Sequence, residues 1–536
     1  MRTFRSFYLV FICTGLIFKL NAQQHQHRWE TLDVTHYKFE ILISDLNDQI
    51  DANATINISF KKPVTSFTLD LVKHDADGKG MSVVNVLEDG KPIPYQHQKD
   101  QLKLTIGETS WGEIRNYQIK YGGIPADGLI ISENKFGDRT FFGDNWPDRG
   151  KNWLPLVDHL SDKASVEWLI TAPTHYQVVG NGMLIEKYKL DSGQILTHWK
   201  MDKPIPPKVM VFGAAEFAVK MEDNDNEIPI STWVFPQNKE EGFADFAIAT
   251  EIMEYLVAQY GPYPFDKLAN VQSKTRFGGM ENAGNIFYHQ NSVTGTGEIE
   301  GLIVHEMVHQ WFGNSATEMN WHHLWLSEGF ATYLTNLYFE DKYGRETFLD
   351  RIQKDRELVI KYAKSNLEPL IDTEVKNYLK LLNPNSYQKG GWLLHMIRNR
   401  IGDRHFRQSL REYYNRFQYS NALSEDFEKV VEEVSGEDLS GFFQQWLYQV
   451  GHPVLSVSWK QGDGLKLTIT QEQSALFEFP LELKVSYLDG NTELKTLNIS
   501  NKITTINIPT SGKVKNIETD PNTRLLYEID HIRPEE

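Results

Sequence analysis

The hydrophobic period of this chain changes twice along its length, and that change limits the fold more than any other feature. From about Trp29 to Trp233 apolar and polar residues alternate, as at 37–42, 54–60, 102–106 and 168–171. Successive side chains of a strand point to opposite faces, so this alternation predicts strands with one buried face. Asp89-Gly90, Gly122-Gly123 and Gly180-Asn181-Gly182 supply the turns between them. Near residue 239 the period lengthens. Residues 240–260 carry Phe243, Phe246, Ala247, Ala249, Ile252, Met253 and Leu256 at helical spacing. Further helices are predicted near 298–313, 325–343, 346–364, 386–401, 403–418, 424–434 and 438–449, with a strand-like insert at 268–273. After Gly451-His452-Pro453 the alternation returns, at 455–459, 465–469, 481–487 and 504–508. The order is β, mainly α, then β. The expected architecture is α+β and multidomain, with an N-terminal β domain over 23–238, a mainly helical domain over 239–450 and a C-terminal β-sandwich domain over 451–536.

The first 22 residues read differently. Arg2 and Arg5 precede an apolar run from Phe7 to Phe18, and Ala22 offers a small residue for cleavage. That is the layout of a signal peptide, so the protein is expected to be exported, periplasmic or extracellular. Other apolar stretches fall short of the ~20 residues a membrane span needs. The single cysteine, Cys13, lies inside this leader, so a metal site further on must be built from histidine and carboxylate. The net charge of −17 argues against nucleic acid and anionic membranes as partners.

The chemistry concentrates in the middle domain. His305 and His309 stand four apart in a run without Gly or Pro, so a helix would present both from one face. Glu306 lies beside the pair, placed to hold a water at the metal and take its proton. A His-Glu-x-x-His match alone fits an ordinary helix with two satisfied histidines as well as a zinc site. Glu328, eighteen residues after His309, tilts the balance, because it supplies a third ligand and leaves one coordination position open.

With its flanks the stretch reads His305-Glu306-Met307-Val308-His309-Gln310-Trp311-Phe312-Gly313-Asn314, then Trp325-Leu326-Ser327-Glu328-Gly329-Phe330-Ala331-Thr332-Tyr333. This resembles the gluzincin aminopeptidases, the family of aminopeptidase N and leukotriene hydrolase. The resemblance implies one zinc ion per chain on His305, His309 and Glu328, with Glu306 as general base. Gly278-Gly279-Met280-Glu281-Asn282 is similar to the family's Gly-x-Met-Glu-Asn signature, which implies a substrate-binding strand and a Glu281 that holds the free α-amine. Tyr387-Gln388-Lys389-Gly390 matches the family's Tyr-x-Lys-Gly, which implies that Tyr387 donates a hydrogen bond to the oxyanion. Trp153-Leu154-Pro155, Lys163-Ala164, Val179-Gly180-Asn181-Gly182 and Gly261-Pro262-Tyr263-Pro264-Phe265 extend the likeness over most of the chain. The implied layout is a β-saddle, a thermolysin-like catalytic domain and a β-sandwich, a short form without the family's C-terminal helical domain.

Two positions depart from the pattern. The family's second amine contact, a Gln, has no counterpart near Phe142-Gly143-Asp144, and His323 stands where an acidic residue is common. The expected activity is zinc-dependent release of N-terminal residues from peptides with a free amine. A zinc endopeptidase, a leukotriene-hydrolase-like epoxide hydrolase and a non-catalytic peptide binder are the alternatives, and the last lacks its usual mark because Glu306 and Tyr387 are both present. Asn53, Asn57 and Asn498 head Asn-x-Ser/Thr sequons.

Overall fold

The computed structural model describes residues 28–222 and 228–535; the expected signal peptide and Cys13 lie outside the described residues. The N-terminal region is built on an eight-stranded sheet. Its strand order is Met183–Lys189, Ile195–Ile205, Ala164–Ala172, Leu32–Leu42, Ile50–Phe60, Ile114–Ile124, Gly80–Glu88 and Lys91–Pro92. Leu32–Leu42 and Ala164–Ala172 run parallel at its centre, and their neighbours pair antiparallel. Alternation along Ile50–Phe60 buries Ile50, Ala52, Ala54, Ile56, Ile58 and Phe60 while the intervening polar residues stay outside. That is the pattern expected of a sheet with one face on a core.

A five-stranded sheet then leads into the middle region, in the order Ala218–Glu222, Ile230–Val234, Leu268–Ser273, Asn285–His289 and Gly279–Met280. The expected insert at 268–273 is therefore the central strand of a sheet that already begins at Ala218. Nearest-neighbour alternation does not show such partners, because they lie on both sides of the change in period.

The helices are α1 (Lys239–Phe246), α2 (Ala249–Tyr260), α3 (Glu300–Val308), α4 (Trp325–Tyr343), α5 (Arg345–Ala363), α6 (Gly390–Ile401), α7 (Asp403–Phe417), α8 (Ser424–Ser435) and α9 (Ser440–Tyr448). The span read as one helix at 240–260 is two, broken at Ala247-Ile248, where no Gly or Pro announces the stop. The expected helix over 298–313 closes earlier, at Val308. There the Asn314 and Ser315 amides reach back five residues to the His309 and Gln310 carbonyls, and the chain turns instead of winding on.

The C-terminal strands form a four-stranded sheet (Ile503–Ile508, Leu465–Gln471, Val454–Gln461, Glu528–Pro534) and a three-stranded one (Thr492–Ile499, Phe479–Tyr487, Val514–Thr519). The alternating residues Leu465, Leu467, Ile469, Leu481, Leu483 and Val485 join the common core. Arg356 of α5 fastens this part to the helices, with its guanidinium 2.6 Å from the buried Asp520 carboxylate and over the Trp392 and Tyr527 rings. The Lys163 ammonium donates to the Ser315 carbonyl at 2.6 Å, and the Asn181 amide donates to the Ala283 carbonyl at 2.8 Å. The N-terminal sheet thus braces the loops behind α3.

Candidate active site

Three donor atoms converge between α3 and α4. His305 lies in α3, and His309 stands one residue beyond its end with helical dihedrals (φ −56°, ψ −23°), so the one-turn offset between the two rings survives. Glu328 sits in the first turn of α4. The two Nε2 atoms are 3.1 Å apart, and Glu328 Oε2 is 3.3 Å from the first and 3.2 Å from the second. A tetrahedral zinc with bonds of about 2.0–2.1 Å requires edges of about 3.3 Å between its donors. The triangle fits that ion. Among the described residues, these three form the group able to hold a metal.

The orientation of His309 is fixed from behind. Its Nδ1 lies 3.1 Å from the Phe312 carbonyl, which only accepts, so Nδ1 carries a proton and Nε2 is the ring atom turned to the centre. Burial lowers the His305 pKa. Burial also opposes the charged form of His309, but Glu328, Glu281 and Glu306 outweigh it and raise that pKa to about 9. Glu328 is held well below the usual carboxylate range: burial would raise it, yet His309 and His305 prevail. These shifts describe a buried cluster with an excess of negative charge, the setting that favours a cation.

Glu306 is buried beside the pair, and burial pushes its carboxyl well up. The strand Gly279–Met280 lies directly against it. A Cβ on Gly279 would sit 2.3 Å from Glu306 Oε1, so any larger residue would drive the strand and the carboxylate apart. This strand is the edge of the five-stranded sheet, and an edge offers free backbone groups for an added strand.

Glu281 follows at once and is buried. Its carbonyl accepts from Gln310 Nε2 at 2.9 Å and Asn314 Nδ2 at 2.6 Å. Its Oε1 accepts no hydrogen bond and lies 3.5 Å from the ammonium of Lys208. Lys208 is itself buried and 3.0 Å from Glu318 Oε1. Neither Lys208 nor Glu318 was expected from the sequence. The available signal was a lone cation inside the apolar run Pro206-Pro207-Lys208-Val209-Met210-Val211-Phe212, since unpaired lysines are almost never fully buried. Met280 and Asn282, the other side chains of that motif, are buried too, and the side-chain amide of Asn282 has no hydrogen-bond partner among the described residues.

Tyr387 reaches the site from a single π-type turn, Asn385–Lys389, that leads into α6. Turns of this kind recur at functional positions. The turn is brought close by contact between Gly390 and Gly329 of α4, where a Cβ on either residue would lie 2.9–3.0 Å from backbone of the other. The ring stacks parallel to His305 at 6.1 Å. Burial, and then Glu328, hold the phenol pKa well above its ordinary value.

The expected residues therefore meet in one cleft of about 540 Å³, which Gly278, Gly279, Met280, Glu281, His305, Glu306, His309, Glu328 and Tyr387 all line. Asn282 stays behind its wall. The departure near Phe142-Gly143-Asp144 has a physical counterpart. Asp144 is bound by Arg149 Nη2 at 2.7 Å and by the Arg276 amide at 3.3 Å, and Trp146 lines the cleft in its neighbourhood. His323 is buried against α8 with Nδ1 2.8 Å from Ser424 Oγ, a packing position.

Residues 244–446 match the Peptidase family M1 domain. The chain is 24% identical over 436 residues to "Probable aminopeptidase 2" of Sulfurisphaera tokodaii, covering 76% of this chain and 54% of that protein. It is 25% identical over 418 residues to "Aminopeptidase A" of Gloydius brevicauda (73% and 42%), and 23% identical over 442 residues to "Leucyl aminopeptidase" of Saccharolobus solfataricus (76% and 54%). The chain thus spans about half the length of these relatives. Its fold resembles a crystal structure of an M1 zinc metallopeptidase variant from Deinococcus radiodurans, with a TM-score of 0.68, 19% identity, and coverage of 79% of this chain and 96% of that one. Fold, motif geometry and matched domain agree in supporting the gluzincin aminopeptidase family, and residues 244–446 carry the Peptidase family M1 domain match.

Proposed function

We propose that this protein is a zinc-dependent aminopeptidase acting on peptides with a free N-terminus. The observation that carries the reading is Glu281, a buried carboxylate that lines the same cleft as the metal triangle, with its Oε1 turned to Lys208 at 3.5 Å. Hydrolysis alone has no need of this second carboxylate beside the metal triangle, whereas a protonated α-amine would pair with it. His305, His309 and Glu328 would hold one zinc ion per chain. When bound, zinc supplies a Lewis acid that polarises a carbonyl and makes water acidic near neutral pH.

The chain's own residues do the rest. The edge strand Gly279–Met280 aligns the peptide, while Glu281 and Glu328 hold its amine and so set the cut one residue in. Glu306 takes the proton of the attacking water and passes it to the leaving amine. The Tyr387 hydroxyl donates to the oxyanion as it forms. The leader-like first 22 residues support export to the periplasm or the exterior. Among the described residues no helix is long and apolar enough to cross a membrane.

The test is turnover by the full chain of aminoacyl anilides and their N-acetylated forms, with chelator and with zinc restored. Cleavage confined to free amines, lost with chelator and regained with zinc, is expected. Equal turnover of blocked and free substrates would make the enzyme an endopeptidase instead.

A further inference from the structure

The cleft that holds the metal triangle and Glu281 is also lined by a guanidinium, that of Arg351. The segment 278–281 runs alongside α3. Gly278 faces Leu302, with 3.9 Å between its Cβ position and Leu302 Cδ1, Gly279 rests on Glu306, and the Glu281 carbonyl binds Gln310. A peptide whose amine sits at Glu281 and whose chain follows this strand must send its leaving side toward Gly301, at the start of α3. Arg351 of α5 lies there, with Nη2 3.8 Å from the Cβ position of Gly301, and its side chain lines the same cleft.

Arg351 is held like a binding group. Its Nε donates to Asn336 Oδ1 at 2.6 Å, and its guanidinium carbon lies 4.1 Å from the centre of the Phe339 ring. Asn336 is buried and fixed in turn, since its amide donates to Asp355 Oδ2 at 2.8 Å. Asp355 and Glu300 act on the guanidinium only at a distance, and no ion pair forms with it among the described residues. Glu300 is engaged elsewhere, with Lys342 at 2.8 Å and with the hydroxyls of Tyr338 and Tyr343. The two Nη groups are left as a fork that matches a carboxylate.

We propose that Arg351 is a specificity-determining residue that binds a carboxylate on the leaving side of the scissile bond. The inference rests on the aminopeptidase reading and names the substrate class for that site. Gly301 and His309 are eight residues apart along α3 and its cap, roughly 12 Å at ~1.5 Å per residue. An extended peptide advances ~3.3–3.6 Å per residue. The span therefore suits a peptide of about two to four residues, whose C-terminal carboxylate would reach Arg351, or a longer one with an acidic side chain after the cleaved residue.

Steady-state kinetics of the zinc-loaded full chain separate these sources. Trialanine is compared with trialanine amide, and Ala-Glu amide with Ala-Gln amide. The carboxylate-bearing member of at least one pair is expected to show a KM about tenfold lower or more, with kcat moving less, as one charge-assisted pair would give. A difference in the first pair assigns the C-terminus, and a difference in the second assigns the side chain. In Arg351→Gln the ratio is expected to fall to about one. Equal KM values within both pairs on an active wild-type enzyme overturn the role of Arg351 and leave the aminopeptidase reading standing. No turnover of any free-amine substrate overturns both. The wild-type comparison needs no variant, so a misfolded Arg351→Gln does not spare the proposal.

Discussion

Buried charge is handled in opposite ways at the active site and at the seam between α5 and the C-terminal strands. At the seam each ion has a partner of the other sign: Arg356 meets Asp520 at 2.6 Å, and Asp520 also accepts from the Arg524 and Leu525 amides. At the site Glu281, Glu306 and Glu328 all line the cleft, and Lys208, shared with Glu318, touches only Glu281. A buried pair closed on itself holds two parts of a chain together. Buried carboxylates left in excess are a demand for cations from outside, here a metal ion and a substrate amine. The difference separates residues whose loss unfolds the protein from residues whose loss silences it.

The sharpest break in that comparison is Glu306→Gln. It keeps the volume and removes the base, so kcat is expected to fall by about 10²–10⁴, the usual range for a general acid–base residue. Metal content by elemental analysis and thermal midpoint should stay near wild type. A variant that keeps wild-type kcat would remove Glu306 from the chemistry. At the seam, Arg356→Met leaves Asp520 buried without its cation. The expected cost is about 3–5 kcal/mol of stability, read by urea unfolding, with kcat per folded molecule unchanged. Tyr387→Phe comes next. It deletes one oxyanion donor, for a loss of about 2.7–4 kcal/mol in transition-state stabilisation, visible in kcat with little change in the unfolding midpoint.

The same contrast explains what could be read from the sequence. His305, His309, Glu306, Glu328, Glu281 and Tyr387 occur in short motifs whose spacing reflects one helix or one turn, so local sequence carries them. α4 was legible residue for residue, because Trp325 to Tyr343 is continuously helical in spacing and ends at Gly344, whose φ of 91° stops it. Lys208, Glu318 and Arg351 act through partners that are distant in sequence. Lys208 meets Glu318 across 110 residues, and no spacing rule predicts such a meeting. Arg351 lies on α5 among Arg345, Asp350, Lys354, Asp355 and Arg356, where a solvated charge and a cleft-facing one look alike. The five-stranded sheet was only partly visible for a similar reason, since its central strand pairs with Ile230–Val234 on one side and Asn285–His289 on the other.

The last effect concerns a third way of keeping charge inside, which is not to be charged. Asp162 is buried in the N-terminal region, where it accepts from the Val34 amide and the Tyr37 hydroxyl, both at 3.3 Å. Burial, with the help of Asp33, raises its pKa to about 7. A carboxyl that holds its proton more tightly when folded contributes stability fully below the unfolded value of ~3.9. That contribution is lost as pH rises through about 7. The thermal midpoint should therefore decline between about pH 4 and pH 7 by a component that Asp162→Asn removes, because the amide cannot ionise. The measurement is the midpoint of wild type and variant across that range, taken with chelator so that metal binding does not enter. Parallel curves would mean that Asp162 is ionised in the fold. The N-terminal sheet would then tolerate an uncompensated buried charge, and the contrast with the active site would lose its third member.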